Sequence, residues 1–191
     1  MIIKSNRMVD AKGLACPMPI VRTKKAMNEL EAGHVMEVQA TDRGSAADLR
    51  AWAESAGHQY LGTVEDGGLL KHYLRKSAGE ELQEKKHPHK AGNDELQRLL
   101  TAGDALTVLD VRESAEYLFG HIPGAVSIPL GELRARIGEL DGEKPVYVVC
   151  RTGSRSDLAA QLLAEAGFAK VYNVLPGMSG WSGMKVSEVQ S

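Results

Sequence analysis

The chain has 191 residues, 43% of them hydrophobic, with a formal net charge of −2 and two cysteines. That is enough for one large domain or two small ones with a core that needs neither disulfides nor metals. Lacking a basic field, and with an aromatic share of 5%, the composition argues against nucleic acid as the main partner. No run approaches the ~20 apolar residues of a membrane helix. The first ten residues, MIIKSNRMVD, have no apolar export segment. Two cysteines cannot build a disulfide framework, so a cytoplasmic protein is expected.

In chain order, MVDAKGL predicts a short strand running into a turn. PMPIVRTKKAMNEL predicts a helix with Ile20, Val21, Met27 and Leu30 on its apolar side and Gly33 beyond its end. HVMEVQA alternates and predicts a strand with Met36, Val38 and Ala40 on one face. SAADLRAWAESAG predicts a second helix with Ala46, Leu49, Trp52, Ala53 and Ala56 inward. HQYLGTVE, DGG and LLKHYLRK read as a hairpin. The order βαβαββ predicts a two-layer sandwich, a four-stranded sheet with two helices on one face. It occupies residues 1–76.

Residues 77–92 are almost wholly polar and read as a linker. His87 and His89 suggest a metal pair only superficially, since no further ligand lies at suitable spacing. No metal or cofactor is expected. Residues 93–191 alternate helical and strand patterns. They open on a helix, NDELQRLLTAG, with Asn93 or Asp94 as its cap, and continue through LTVLDV, SAEYLFGH, AVSIPL, LGELRARIGEL, PVYVVC, SDLAAQLLAEAGF and KVYNVL. Val-rich strands between helices predict a parallel sheet covered on both faces, a three-layer α/β domain. Such sheets bind ligands beyond the carboxyl ends of their strands.

Cys150 stands at such an end, in CRTGSRS. The thiolate is the reactive form of cysteine. A helix N-terminus near Ser156, a backbone nest permitted by Gly153 and the charges of Arg151 and Arg155 are all expected to favour it. The same loop, Arg151, Thr152, Gly153, Ser154 and Arg155, would cradle a persulfide or a small oxyanion. Its two ends, Cys150 and Arg155, are separated by one residue fewer than in the cysteine phosphatase pattern. That smaller cradle favours sulfur over phosphate.

With the stretches LDVRESAEYLFGHIPGAVSIPL, VVCRTGSRS and GMSGW, residues 90–185 resemble a rhodanese domain. The resemblance implies that Cys150 takes a sulfane sulfur from a donor such as thiosulfate and passes it to a nucleophile. Asp110, Arg112 and His121 of the signature stretch are read as scaffold.

The other cysteine lies in GLACPMP. Pro17 suits the first helical position, which places Cys16 at or beside the cap and facing the positive end of the helix. Lys12, Arg22 and Lys24 add modest positive character. DAKGLACPMPIVRTKKAM followed by ATDRGSAADLRAWAESAGH resembles the TusA (SirA-like) sulfur-carrier family over residues 8–76. The resemblance implies that Cys16 carries a persulfide to a partner, with Asp42 and Asp48 structural or partner-facing. The expectation is therefore a sulfurtransferase that loads Cys150 from a small sulfur donor and relays the sulfur through Cys16 to a thiol or protein acceptor. The alternative is a thiol-based sensor of sulfane sulfur or oxidant, without turnover.

Overall fold

The computed structural model describes residues 2–79 and 84–189. The described chain forms two compact units, residues 2–78 with 188–189, and residues 79 and 84–187. Among the described residues no helix is long and apolar enough to cross a membrane.

The first unit runs β1 (Arg7–Ala11), α1 (Met18–Glu29), β2 (Val35–Ala40), α2 (Ser45–Ser55), β3 (Gln59–Asp66) and β4 (Leu69–Arg75). The sheet order is β1-β2-β4-β3, with β1 parallel to β2 and the remaining pairs antiparallel. The β3–β4 turn is Gly67-Gly68, both with positive φ (58° and 86°). A two-residue hairpin turn requires that conformation to match the strand twist. Strand residues Val9, Ala11, Met36, Val38 and Leu74 bury one sheet face against Met27 and Leu30 of the α1 segment and Leu49 and Ala53 of α2. The alternation of β2 and the i, i+4 spacing of Leu49 and Ala53 thus meet in one core. Two residues expected inward are not there. Val21 is 51% exposed, because Pro19, Thr23, Ala26 and Met27 form the buried stripe of α1, and Ala56 lies beyond the last turn of α2 and is exposed.

The second unit runs β5 (Lys90–Gly92), α3 (Asn93–Ala102), β6 (Thr107–Asp110), α4 (Ser114–Phe119), β7 (Val126–Ser127), α5 (Leu133–Arg136), β8 (Val146–Val149), α6 (Ser154–Glu165) and β9 (Val171–Leu175). Its five strands are all parallel, in the order β5-β9-β8-β6-β7. All four residues of β8 are buried. Val146 and Val148 face a cluster with Ala159 and Leu163, while Tyr147 and Val149 face one with Leu96 and Trp181. Helices covering both faces account for the unbroken apolar run of this strand.

Two local expectations are corrected. Gly92, not Asn93 or Asp94, occupies the cap of α3. The Asn93 side chain instead exchanges two hydrogen bonds with the backbone of Gly177, at 2.9 and 3.2 Å. The polar stretch 77–92 is not solvated throughout, since Lys90–Gly92 pairs with β9 and His87 is 4% exposed. Its Nε2 donates to the Val171 carbonyl (2.8 Å), and the backbone N–H groups of Lys86 and His87 both donate to the Asp157 carboxylate (2.9 Å each). These partners lie about 70 to 84 residues away, so a composition window sees only the charge. The stretch EELQEKK, whose composition suits a helical turn, begins on residues 80–83, outside the described residues.

Candidate active sites at Cys150 and Cys16

β8 delivers Cys150 to the carboxyl edge of the parallel sheet, at the centre of the strand order. Gly153 then takes φ +96° at the cap of α6, a left-handed conformation that glycine adopts without steric cost. This turns the loop back over the sulfur, and the Gly153 N–H donates to Cys150 Sγ at 3.1 Å. Ser156 Oγ lies 3.3 Å from the same sulfur. Ser156 donates to Asn173 Oδ1 (2.6 Å), and Asn173 Nδ2 donates to the Gly153 carbonyl (3.0 Å). Asn173 is fully buried, and this ring of bonds fixes the loop from β9. From the other side, the N–H groups of Met178 and Ser179 donate to the carbonyls of Cys150 and Arg151 (2.8 and 2.9 Å). Gly177 permits that approach. A Cβ there would lie 2.5 Å from the Cys150 carbonyl oxygen.

Hydrogen bonds to sulfur from N–H groups at a helix start stabilise negative charge on it. Cys150 is 1% exposed, so the sulfur sits at the base of the loop. Ser154, the first residue of α6, has a buried hydroxyl with no hydrogen-bond partner among the described residues. Thr152 and Arg151 are half-buried at the loop rim.

Arg155 differs from expectation. It is 6% exposed, and its two terminal nitrogens bind the Glu116 carboxylate at 2.6 and 3.0 Å. Its charge is matched by a buried carboxylate at the start of α4, so it braces the loop. Glu116 also accepts from the Glu113 N–H (2.9 Å), closing a capping box. Asp110 and Arg112 form a second buried pair, with three side-chain bonds of 2.7 to 3.1 Å. His121 donates from Nδ1 to the Tyr117 carbonyl (2.8 Å) and stacks on the Tyr117 ring.

Cys16 is exposed and belongs to the first unit. Pro17 occupies the cap rather than the first helical position, its carbonyl accepting from Val21 N–H (3.1 Å). Pro19 falls in the first turn, where no N–H partner exists to lose. The N–H of Gly13 donates to Thr41 Oγ1 (2.9 Å), tying the cysteine loop to the β2–α2 loop. That loop and α2 bring acidic groups. A hydrogen bond to the Asp48 carboxylate pushes the Cys16 thiol above its usual range, with desolvation and the charges of Asp48 and Asp42 adding to the effect. The expected positive surroundings are therefore corrected. Lys12 pairs with Asp10 and Arg22 donates to the Asp10 carbonyl, while carboxylates face the thiol.

Behind this loop lies a buried polar chain. Ser45 Oγ donates to the Asp42 carbonyl and lies 2.9 Å from His72 Nε2. Tyr60 and Thr63 hydroxyls contact His72 Nδ1 at 2.9 and 2.8 Å. Desolvation brings His72 down to about 4, so it is neutral near pH 7, donating from Nε2 and accepting at Nδ1.

Sequence reasoning missed Ser156, Asn173 and the Glu116 partnership. Asn173 left one signal, an amide interrupting the apolar run KVYNVL.

Comparison with known proteins agrees with this division. The rhodanese-like domain family matches residues 92–184, and the sulfurtransferase TusA family matches residues 7–76. A Bacillus subtilis protein named "Putative sulfur carrier protein YrkF" is 47% identical over 95% of this chain and 98% of its own. A Shewanella oneidensis protein, "Thiosulfate sulfurtransferase GlpE", is 37% identical over 43% of this chain and 81% of its own. The solution structure of a rhodanese-like domain from Anabaena superposes with a TM-score of 0.50 at 29% identity, covering 56% of this chain and 83% of that one.

Proposed function

Because the chain belongs to the family that joins a TusA sulfur-carrier domain to a rhodanese-like domain, we propose that it loads sulfane sulfur on Cys150 and relays it through Cys16. The Cys150 thiolate attacks the outer sulfur of thiosulfate or of a small persulfide. A Cys150 S–S bond forms, the donor's S–S bond breaks, and sulfite or a thiolate leaves with the electron pair. The observation that carries this reading is the Gly153 N–H on Cys150 Sγ at 3.1 Å, at the start of α6. The unpaired Ser154 hydroxyl is a further donor available to the bound anion.

In the second step the Cys16 thiolate attacks the terminal sulfur, and the Cys150 thiolate departs. Asp48, already hydrogen-bonded to Cys16, takes the thiol proton. A loaded Cys16 is exposed and can hand its sulfur to a protein or small-thiol acceptor. Carrying both thiols on one chain makes their encounter intramolecular.

Steady-state thiocyanate release from thiosulfate and cyanide tests the enzyme reading. Sustained release by the wild type and by Cys16→Ser, with loss in Cys150→Ser, supports it. A single stoichiometric modification without turnover contradicts it and favours a sensor.

A further inference from the structure

The Cys150 loop poses a charge problem. A thiolate or persulfide and an anionic donor meet there, yet Arg155 is matched by Glu116 at 2.6 and 3.0 Å. A different cation reaches the loop from the polar stretch preceding β5. The Lys85 side chain lies across the face of Gly153, its Cε 3.0 Å from where a Cβ on that glycine would stand. The ammonium is one bond further on. Gly153 is the residue whose N–H holds Cys150 Sγ. Lys85 is kept there from its carboxyl side. The next two N–H groups, of Lys86 and His87, are held by Asp157, and the His87 ring by the Val171 carbonyl. Asp157 is itself on the first turn of α6, with its N–H on the Gly153 carbonyl (3.2 Å). The strap and the sulfur loop therefore share one anchor. Among the described residues Lys85 forms no ion pair, and it lies before the first residue, 92, of the rhodanese-like match.

We propose that Lys85 is an anion-selecting residue of the Cys150 loop beside Arg151, a lysine strapped over Gly153 so that its ammonium receives the sulfonate end of an anionic sulfur donor. The absence of a side chain at Gly153 serves this arrangement as well as the left-handed turn. A Cβ there would also lie 2.3 Å from Leu175 Cδ2, closing the space the lysine chain uses. The inference rests on the sulfurtransferase reading for its physiological meaning, but the charge itself is measurable without turnover.

The test uses the full chain in a Cys16→Ser background, so that Cys150 is the only thiol. Alkylation rates are compared for iodoacetate and iodoacetamide, which differ mainly in charge, so that the burial of Cys150 cancels in their ratio. Lys85→Gln is expected to lower the iodoacetate-to-iodoacetamide ratio by about 5- to 10-fold at low ionic strength, and the effect should shrink in about 0.5 M KCl. Lys85→Arg should keep the ratio within about twofold of wild type. In turnover, Lys85→Gln should raise the KM for thiosulfate by a similar factor while kcat changes by less than about twofold. An unchanged ratio and an unchanged KM in Lys85→Gln overturn the proposal even if the enzyme turns over. A lowered ratio in a protein that makes no thiocyanate leaves the anion site standing and removes the sulfurtransferase reading instead.

Discussion

Replacing Glu116 by Gln separates a bracing role for Arg155 from an anion-binding one. The pair is withdrawn from water, with side-chain exposures of 7% for Arg155 and 0% for Glu116. Two N–H···O bonds join them. Glutamine keeps one oxygen acceptor but turns an NH2 group toward a guanidinium that has only donors. Removing one partner of a buried pair leaves an uncompensated charge and costs about 3–5 kcal/mol. Urea unfolding followed by Trp181 emission, in a Trp52→Phe background, reads the second unit, because Trp181 lies in its core. With a urea m-value of about 2 kcal/mol per M, the midpoint should fall by about 1.5–2.5 M. Adding Arg155→Met should restore much of the loss, because the uncompensated buried charge is then removed. A Glu116→Gln protein within about 0.5 kcal/mol of wild type would refute the bracing role.

Two further outcomes follow from the first unit. Asp48→Asn removes the carboxylate that pushes the Cys16 thiol up, so the pH profile for alkylation of Cys16 should move to lower pH. Mass spectrometry of a Cys150→Ser chain reads this, and a profile that stays or moves up contradicts the contact. His72 is held down to about 4 against an ordinary value of 6.5. Between those values the unfolded chain binds a proton that the folded unit refuses, so stability falls as pH drops through that window, by up to about 1.4 kcal/mol per pH unit. Denaturant midpoints of His72→Gln should lack this dependence, and an equal slope in wild type and variant would remove His72 as its source.

Periodicity and turn chemistry made much of this fold legible. The alternation of HVMEVQA, the Gly67-Gly68 turn and the wholly apolar PVYVV each carry their structure in adjacent residues. The position of Cys150 at a strand end could be read the same way, whereas the helix expected from about Ser156 begins two residues earlier, at Ser154, with Gly153 as its cap. Pairings between distant elements could not. Arg155 looks like a free loop charge until α4 brings Glu116, 39 residues earlier, against it. Cys16 looks dipole-activated until α2 presents Asp48. The strand Lys90–Gly92 has three residues and no apolar pattern, and it exists because β9 offers an edge. In each case the deciding partner is tertiary, and a local window sees only half of the interaction.

The relay itself is tested by the order in which the two thiols gain sulfur. Time-resolved mass spectrometry after mixing with thiosulfate should show a 32 Da gain, one sulfur atom, first on Cys150 and then on Cys16, and Cys150→Ser should leave Cys16 unloaded. Loading of Cys16 at the wild-type rate in Cys150→Ser would contradict it.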